Sequence, residues 1–588
     1  MTDTAVYDET KIYLKEKMAI RIRNKFYRLI IVSSLLVITV TNAQDINNQN
    51  IFQIRERANT ALAEGNINEA KDYFGSLAMI APGNNEILSR LWEINLELSL
   101  WKEAIQIGNT LDTIGHNLGT SFSYGMAAAY IQSGNKEQAL IWLEKAIDEK
   151  YENRTGLFTD PLFAELKENP RFIKLSGHVS PHLDRVAGWR ADLAFFNQEA
   201  QRLHGSPEKP STSNEFQSAV KNLYNCIPQL SDQELLMEFN KLMAILGDGH
   251  SVVYGPTEES QGTYINRTLP LKFYDFDDGL FIVDATENLQ HLIGSRVISL
   301  GEVAPKQAFN RLLDYRGVDN PVTIRWLGAQ FYLRDFGFLK AIGASLDGQT
   351  ITLGIETPAG EVRNILLKGG NSTRFTFPRK LRPLTSNNAI APLYLQRVDD
   401  NYWFEIMPKI NGIYFQFNQV RDNGEEDTLN RFSNQLLNAL LSTGSKNLIV
   451  DVRHNNGGNN GLLKQLLNNL VLFDNENDTN IYVITSKNTF SAAQNFINRV
   501  ELLTDAIFVG EPSSSSPNFV GEETSVIFPW SKIFASISNI YWQDSSPTDT
   551  RQWIAPDIPV GLTSEQYFNN IDPVMEHIVS LITDNWLN

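Results

Sequence analysis

The chain has 588 residues, 42% hydrophobic and 20% charged, a length suited to three or four domains and a composition that excludes a disordered or fibrous protein. Its formal charge is −17 and its pI is near 5.1, with no long basic run after the first 30 residues, which argues against a nucleic-acid partner. One cysteine, Cys226, excludes an intramolecular disulfide and a cysteine-rich zinc site. With no motif around it, Cys226 is expected to be a buried structural residue.

The N-terminus reads as an address. Lys15, Lys17, Arg21, Arg23, Lys25 and Arg28 precede an apolar run from Leu29 to Val40, which ends in Thr41-Asn42-Ala43. A basic stretch, about a dozen apolar residues and a small-x-small ending predict a secretory signal over 1–43, cleaved after Ala43. The run is short for a membrane span, which needs about 20 residues, although a signal anchor is the alternative. No second long apolar stretch follows, so a periplasmic or secreted protein without a membrane span is expected.

Residues 50–178 carry a helical repeat. Ala70, Ala104 and Ala139 each close a similar phrase, 34 and then 35 residues apart, and Gly65 and Gly134 precede the first and third. A turn glycine reverses the chain and the small alanine lets the second helix of a pair pack closely on the first. The period is that of tetratricopeptide repeats, which these segments resemble, and an unrelated helical bundle is the competing reading. The middle copy lacks its glycine. Such repeats offer a groove for a protein partner, or serve as a spacer. The segment from Asp160 to Phe172 is expected to cap the array.

Residues 180–262 are helical up to Leu246-Gly-Asp-Gly-His250, where a helix stops on glycines and a strand starts. Residues 265–370 are strand-rich. The run Ile293 to Glu302, with the helix after Ala304, resembles a PDZ-like domain, which binds peptide ends by adding a strand to an open edge.

The densest pattern lies in 395–588, expected to be α/β. Lys446 to Arg453 reads as a buried parallel strand and ends in His454-Asn-Asn-Gly-Gly-Asn-Asn-Gly461. Strand Ile481 to Thr485 leads to Asn488-Thr-Phe-Ser491-Ala-Ala, with Ser491 at a helix start, and strand Ala506 to Gly510 follows. In isolation Ser491 is as readily a helix N-cap, and the glycine loop as readily an anion cradle. The ordered set differs. Leu-Gly-Asp-Gly-His250, then Asp-Val-Arg-His-Asn-Asn-Gly-Gly458, then Thr-Phe-Ser491-Ala-Ala and Val-Gly-Glu-Pro resembles the tail-specific (C-terminal processing) serine peptidases over about 180–588.

That resemblance implies a multidomain fold, a helical repeat domain followed by a ClpP/crotonase-like α/β peptidase core with a PDZ-like insertion. It implies Ser491 as nucleophile and an oxyanion hole from the N–H of Gly457 or Gly458 and of Ala492. No metal or organic cofactor is required, and the substrate is a peptide or unfolded protein. One branch of the family places a lysine about 25 residues after the serine, but 512–521 contains none. The tricorn-like branch uses a histidine, and His250 fits it, with activity expected to fall through about pH 6–7 as the imidazole takes up a proton. In that branch a serine precedes the histidine and a distant glutamate supports it. Here Gly249 precedes, and Asp549 is the nearest acidic candidate for support. A scaffold on an inactive peptidase fold is the rival, and an exported esterase is a third reading.

Overall fold

The computed structural model describes residues 51–115, 119–256, 260, 267–371, 377, 380–383, 390–476 and 478–584. The expected signal segment lies outside the described residues. The chain divides into two compact units, Met1–His178 and Val179–Asn588.

In the first unit six helices of 13 or 14 residues form three successive pairs: α1 (Ile51–Ala63) with α2 (Ile67–Ile80), α3 (Asn85–Glu97) with α4 (Trp101–Thr113), and α5 (Thr120–Gln132) with α6 (Lys136–Asp148). Ala70, Ala104 and Ala139 lie one on each second helix, and all are fully buried. The turn residue before each second helix must take a left-handed backbone. Gly65 and Gly134 do so at φ 75° and 81°, and in the middle copy Ser99 does so at φ 56°. The missing glycine thus leaves the turn intact and adds strain, since a Cβ crowds this conformation. Trp92, Phe122 and Trp142 meet in the core with successive centroids 4.8 and 5.7 Å apart. Short 3₁₀ turns and α7 (Pro170–Ser176) close the end, burying Phe163, Leu166 and Phe172.

The second unit begins with α8 (Arg185–Leu203), α9 (Asn214–Cys226) and α10 (Asp232–Leu246). Cys226 is exposed, contrary to the expectation from sequence. Phe216, Leu223 and Ile227 occupy the buried stripe of α9 and its end, and Cys226 falls beside it. Strands β1 (Val252–Pro256) and β2 (Arg267–Thr268) follow. Next comes an antiparallel meander of β3 (Leu271–Phe276), β4 (Gly279–Ala285), β5 (Arg296–Leu300), β6 (Thr350–Glu356) and β7 (Val362–Lys368). Helices α11 (Pro305–Leu312), α12 (Pro321–Gln330) and α13 (Phe336–Ala341) are all inserted between β5 and β6. β8 (Gly370–Asn371) pairs with β2.

The rest of the unit is built on a six-stranded sheet. In chain order its elements are β9 (Tyr402–Met407), β10 (Gly412–Phe417), α14 (Leu429–Thr443), β11 (Asn447–Asp451), α15 (Leu463–Asp474), β12 (Asn480–Thr485), α16 (Ala492–Leu503) and β13 (Ile507–Gly510). A long hairpin of β14 (Asn518–Ile527) and β15 (Ile533–Gln543) comes next, then β16 (Ile558–Pro559), α17 (Ser564–Phe568) and α18 (Pro573–Asp584). The sheet order is β16-β13-β12-β11-β10-β9, parallel except for β9. Every residue of β10 and β11 is buried, as a parallel sheet covered on both faces requires. One face packs against α14, α15 and α16 through Leu436, Leu466 and Phe496, and the other against Val574 and Ile578 of α18. The hairpin does not join this sheet. β15 pairs with β1, and the hairpin tip, with Phe528 and Trp530, is buried against Phe196, Phe239 and Trp189 of the early helices.

Candidate active site

Three loops leave the carboxyl ends of β11, β12 and β13, the end at which open parallel sheets hold ligands. Side chains lace them together. The Ser486 hydroxyl donates to Arg453 O at 2.8 Å, the Thr489 hydroxyl to Val452 O at 3.1 Å, and the Thr485 hydroxyl to Glu511 O at 2.8 Å. Under them Arg453 forms a buried ion pair with Asp451 at 2.6 Å and with Asp572 at 2.7 Å, tying the β11 end to the start of α18.

Ser491 stands at the N-terminus of α16, half-buried, with φ 57° and ψ −126°. It makes no side-chain cap bond to its helix. A serine whose work is capping takes an extended backbone and points its oxygen at the helix N–H groups. Ser491 does neither, and holding a non-glycine residue in this region costs about 1–3 kcal/mol. A strained strand-to-helix turn that lifts a serine hydroxyl clear of its helix is the geometry of a nucleophile elbow. The Ser491 N–H donates to Ser515 Oγ at 3.2 Å.

The glycine loop lies directly against this serine. A Cβ on Gly457, where φ is 110°, would sit 2.8 Å from Ser491 Cβ and 2.9 Å from Ala492 N. Gly457 donates its N–H to Asn455 Oδ1 at 3.0 Å, whereas Gly458 is exposed and has its back against the Val420 carbonyl. Val420 N donates to Gly457 O at 3.0 Å and Asn459 N to Val420 O at 2.8 Å, which pins the loop.

His250 follows α10, which ends on Gly247 at φ 78°. Asp248 folds the loop, its Oδ1 accepting the N–H of His250 at 2.9 Å and of Ser251 at 2.6 Å and the Ser538 hydroxyl at 2.7 Å. Its Oδ2 meets His204 Nε2 at 3.0 Å. Burial alone would raise the Asp248 carboxyl, but the His204 and Ser538 bonds and the Ser251 N–H hold it well below the usual range. The His250 ring is buried between Phe490, 4.4 Å away and adjacent to Ser491, and Phe519 at 5.7 Å. Burial pushes its pKa down to about 4, against the opposing charge of Asp248, so the ring is neutral at pH 7. Neither ring nitrogen has a partner in full hydrogen-bond geometry, the Val520 backbone approaching loosely.

Ser491, Ala492 and Gly457 therefore lie side by side, and the His250 ring stacks on the ring of Phe490, the residue before Ser491. Asp549 is not among them by its bonds. Its carboxylate is committed to Arg551 at 2.8 Å and the Ser545 hydroxyl at 2.6 Å, and the carboxylate facing His250 is Asp248. His454 is turned away, its Nε2 2.8 Å from Tyr394 O. Lys487, four residues before the serine, pairs with Glu511 at 2.9 Å and donates to Asp275 O. A side chain at Gly249 would be tight, since a Cβ there would lie 3.0 Å from Asp319 Oδ1 and from the Phe490 ring. Three supporting residues, His204, Asp319 and Ser515, carry no motif in the sequence. The stop at His204-Gly-Ser-Pro is visible there as a helix end, but its pairing with Asp248, 44 residues on, is not. Among the described residues no cluster of His, Cys, Asp and Glu could hold a metal ion, and no helix is long and apolar enough to cross a membrane.

No protein-family model matches the chain, and no curated protein matches it. Solved structures do. Mature CPAF complexed with lactacystin aligns at 14% identity and TM-score 0.46, over 68% of this chain and 99% of that one. The photosystem II D1 C-terminal processing protease aligns at 11% and 0.33, over 67% and 97%. The tricorn protease aligns at 12% and 0.31, over 68% and 37%. The second and third of these carry protease in their names.

Proposed function

We propose that the chain is an exported serine peptidase of the tail-specific kind, with Ser491 as nucleophile and His250 as general base. What carries the reading is Ser491 itself, held in a strained backbone, released from capping, and set against a glycine loop and a helix N-terminus. In the proposed step neutral His250 takes the Ser491 hydroxyl proton as Oγ attacks the peptide carbonyl. The tetrahedral oxyanion is held by the N–H groups of Ala492 and Gly458, since Gly457 commits its N–H to Asn455. The imidazolium then protonates the departing amine, and water, activated the same way, releases the acyl group. The six-stranded sheet with its helices is proposed as the ClpP/crotonase-like core. The β3–β7 meander is proposed as a PDZ-like holder of the substrate, with β7, where Val362 and Leu366 are exposed, as the edge that takes an added strand. The helical repeats are proposed to hold a protein partner.

The test is to incubate the protein with unfolded protein and with peptides of varied C-termini, beside Ser491→Ala. Cleavage by the wild type alone is expected, together with fluorophosphonate labelling at Ser491. Equal cleavage by the purified variant ends the assignment.

A further inference from the structure

Resting on that reading, we propose that Asp319 is a positioning residue for the serine–histidine pair, its carboxyl joining the loop that carries His250 to the serine that receives the Ser491 N–H. Asp319 belongs to neither the histidine motif nor the serine motif. It sits in the segment between α11 and α12, inserted in the meander, and touches both halves of the site. Its Oδ1 accepts the Gly249 N–H at 2.6 Å, one residue before His250. Its other oxygen, Oδ2, is buried without a hydrogen-bond partner, with the Ser515 side chain close beside the carboxyl. Ser515 Oγ in turn accepts from Ser491 N at 3.2 Å.

The surrounding segment is built as a clasp. Arg316 donates to Ser251 O at 2.5 Å and to Gly249 O, gripping the histidine loop. Asn320 donates to Ser513 O at 3.1 Å and Gln552 O at 2.7 Å, and the Thr323 hydroxyl to Ser514 O at 2.6 Å, gripping the serine side. Of these four residues Asp319 reaches in both directions, its carboxyl to the Gly249 N–H and its backbone carbonyl to the Ser516 hydroxyl at 3.2 Å.

The charged groups facing Asp319 are Asp248, which opposes its ionisation, and Arg316, which favours it. Burial dominates and raises the carboxyl to about 7, with the Gly249 N–H bond and the nearby Ser515 hydroxyl opposing. Ionised, the carboxyl holds the Gly249 N–H more tightly and draws the Ser515 hydroxyl proton toward itself. That turns the Ser515 lone pair to the Ser491 N–H and fixes the elbow. Protonated, it loosens both links.

The experiment is the rate of Ser491 labelling by a fluorophosphonate on the full chain between pH 5.5 and 8.5. In the wild type the rate should rise roughly five- to twentyfold through about pH 7. In Asp319→Asn, which mimics the protonated form, it should stay at the low-pH value throughout. Asp319→Glu, which restores the charge, should regain part of the rise. Should Asp319→Asn fail to fold, Ser515→Ala cuts the same link on its other side and should flatten the profile equally. A rise that survives in the variants overturns the positioning role while leaving the nucleophile intact. Absence of labelling in the wild type at every pH instead overturns the peptidase reading, and with it this inference.

Discussion

At Ser491 the backbone strain is local and measurable. Substituting glycine removes the Cβ that makes φ 57° unfavourable, so Ser491→Gly should abolish cleavage and raise stability by about 1 kcal/mol, after the extra freedom of an unfolded glycine is set against the relieved strain. Urea unfolding beside the wild type reads this, and a clear loss of stability would show that the hydroxyl is structural. Gly457→Ala makes the opposite demand. It pushes a methyl to 2.8 Å from Ser491 Cβ and should lower activity at least a hundredfold, with a loss of about 1–3 kcal/mol of stability. On the proposed mechanism His250 sets the pH limb. Only the neutral ring accepts a proton, and burial has moved its pKa to about 4, so in Asp319→Asn protein kcat/KM should stay level from pH 8 to 5 and fall as pH drops through about 4. An inflection at 6–7 in that variant, the value expected from the sequence, would mean the ring is wetter than the Phe490–Phe519 sandwich allows. The motif locates His250 because glycines and a histidine at a helix end are local. Its pKa is not legible there, because the rings of Phe490 and Phe519 that enclose it come from distant parts of the chain.

At the scale of elements, the hairpin β14–β15 does two jobs. Its tip delivers the N–H groups of Trp530 and Ser531 to Asp192 at 2.8 and 2.9 Å, and its second strand presents Ser538 to Asp248 and Ser251. Asp192→Ala leaves two buried N–H groups unpaired and should cost about 2–4 kcal/mol, seen as a lower urea midpoint at unchanged slope. A change under about 0.5 kcal/mol would mean that the tip finds water instead. No strand is expected from the sequence reading over 518–543, although the strands of this hairpin are the longest among the described residues. The burial of β15 is continuous over Ala535–Ser538 and then breaks, because one end enters the helical core and the other does not, so no period of two develops. β11, β12 and β13 are legible for the converse reason, being largely apolar and followed by glycine or serine turns. The three helices inserted between β5 and β6 are only partly legible. The clasp, in the segment between α11 and α12, depends on partners near 513–516, and a tract of four serines looks like a linker until each hydroxyl is placed.

At the scale of the molecule, the two units have separate cores, and every residue of the proposed chemistry belongs to the second. Residues 179–588 produced alone should fold cooperatively and label at Ser491 at the rate of the full chain. Circular dichroism and the labelling rate decide it, and a folded but unreactive fragment would place the repeats in the workings of the site. The boundary near 178 is readable because an alanine period and its capping segment end there. Within the second unit, by contrast, the helical stretch and the strand-rich stretch that look separate in the sequence share one core. Trp189, Phe239, Leu271, Leu353 and Trp530 all lie in that single cluster.

That shared core has a consequence for the order in which the chain acquires structure. Asp192 waits for Trp530 and Ser531, which lie 338 and 339 residues further on, and Asp248 and Ser251 wait for Ser538. During synthesis the helices bearing Phe196 and Phe239 emerge long before Phe528 and Trp530 exist to cover them, so their apolar faces stay open until the β14–β15 hairpin has been made. Contacts of such long range also slow the closing step, because the intervening chain must be ordered before the contact at its ends can form. A nascent chain of this kind remains loose enough to be threaded elsewhere. The same delay keeps the His250 loop unfinished until the β14–β15 hairpin docks, so on the proposed mechanism a half-made chain carries no edge with which to cut itself.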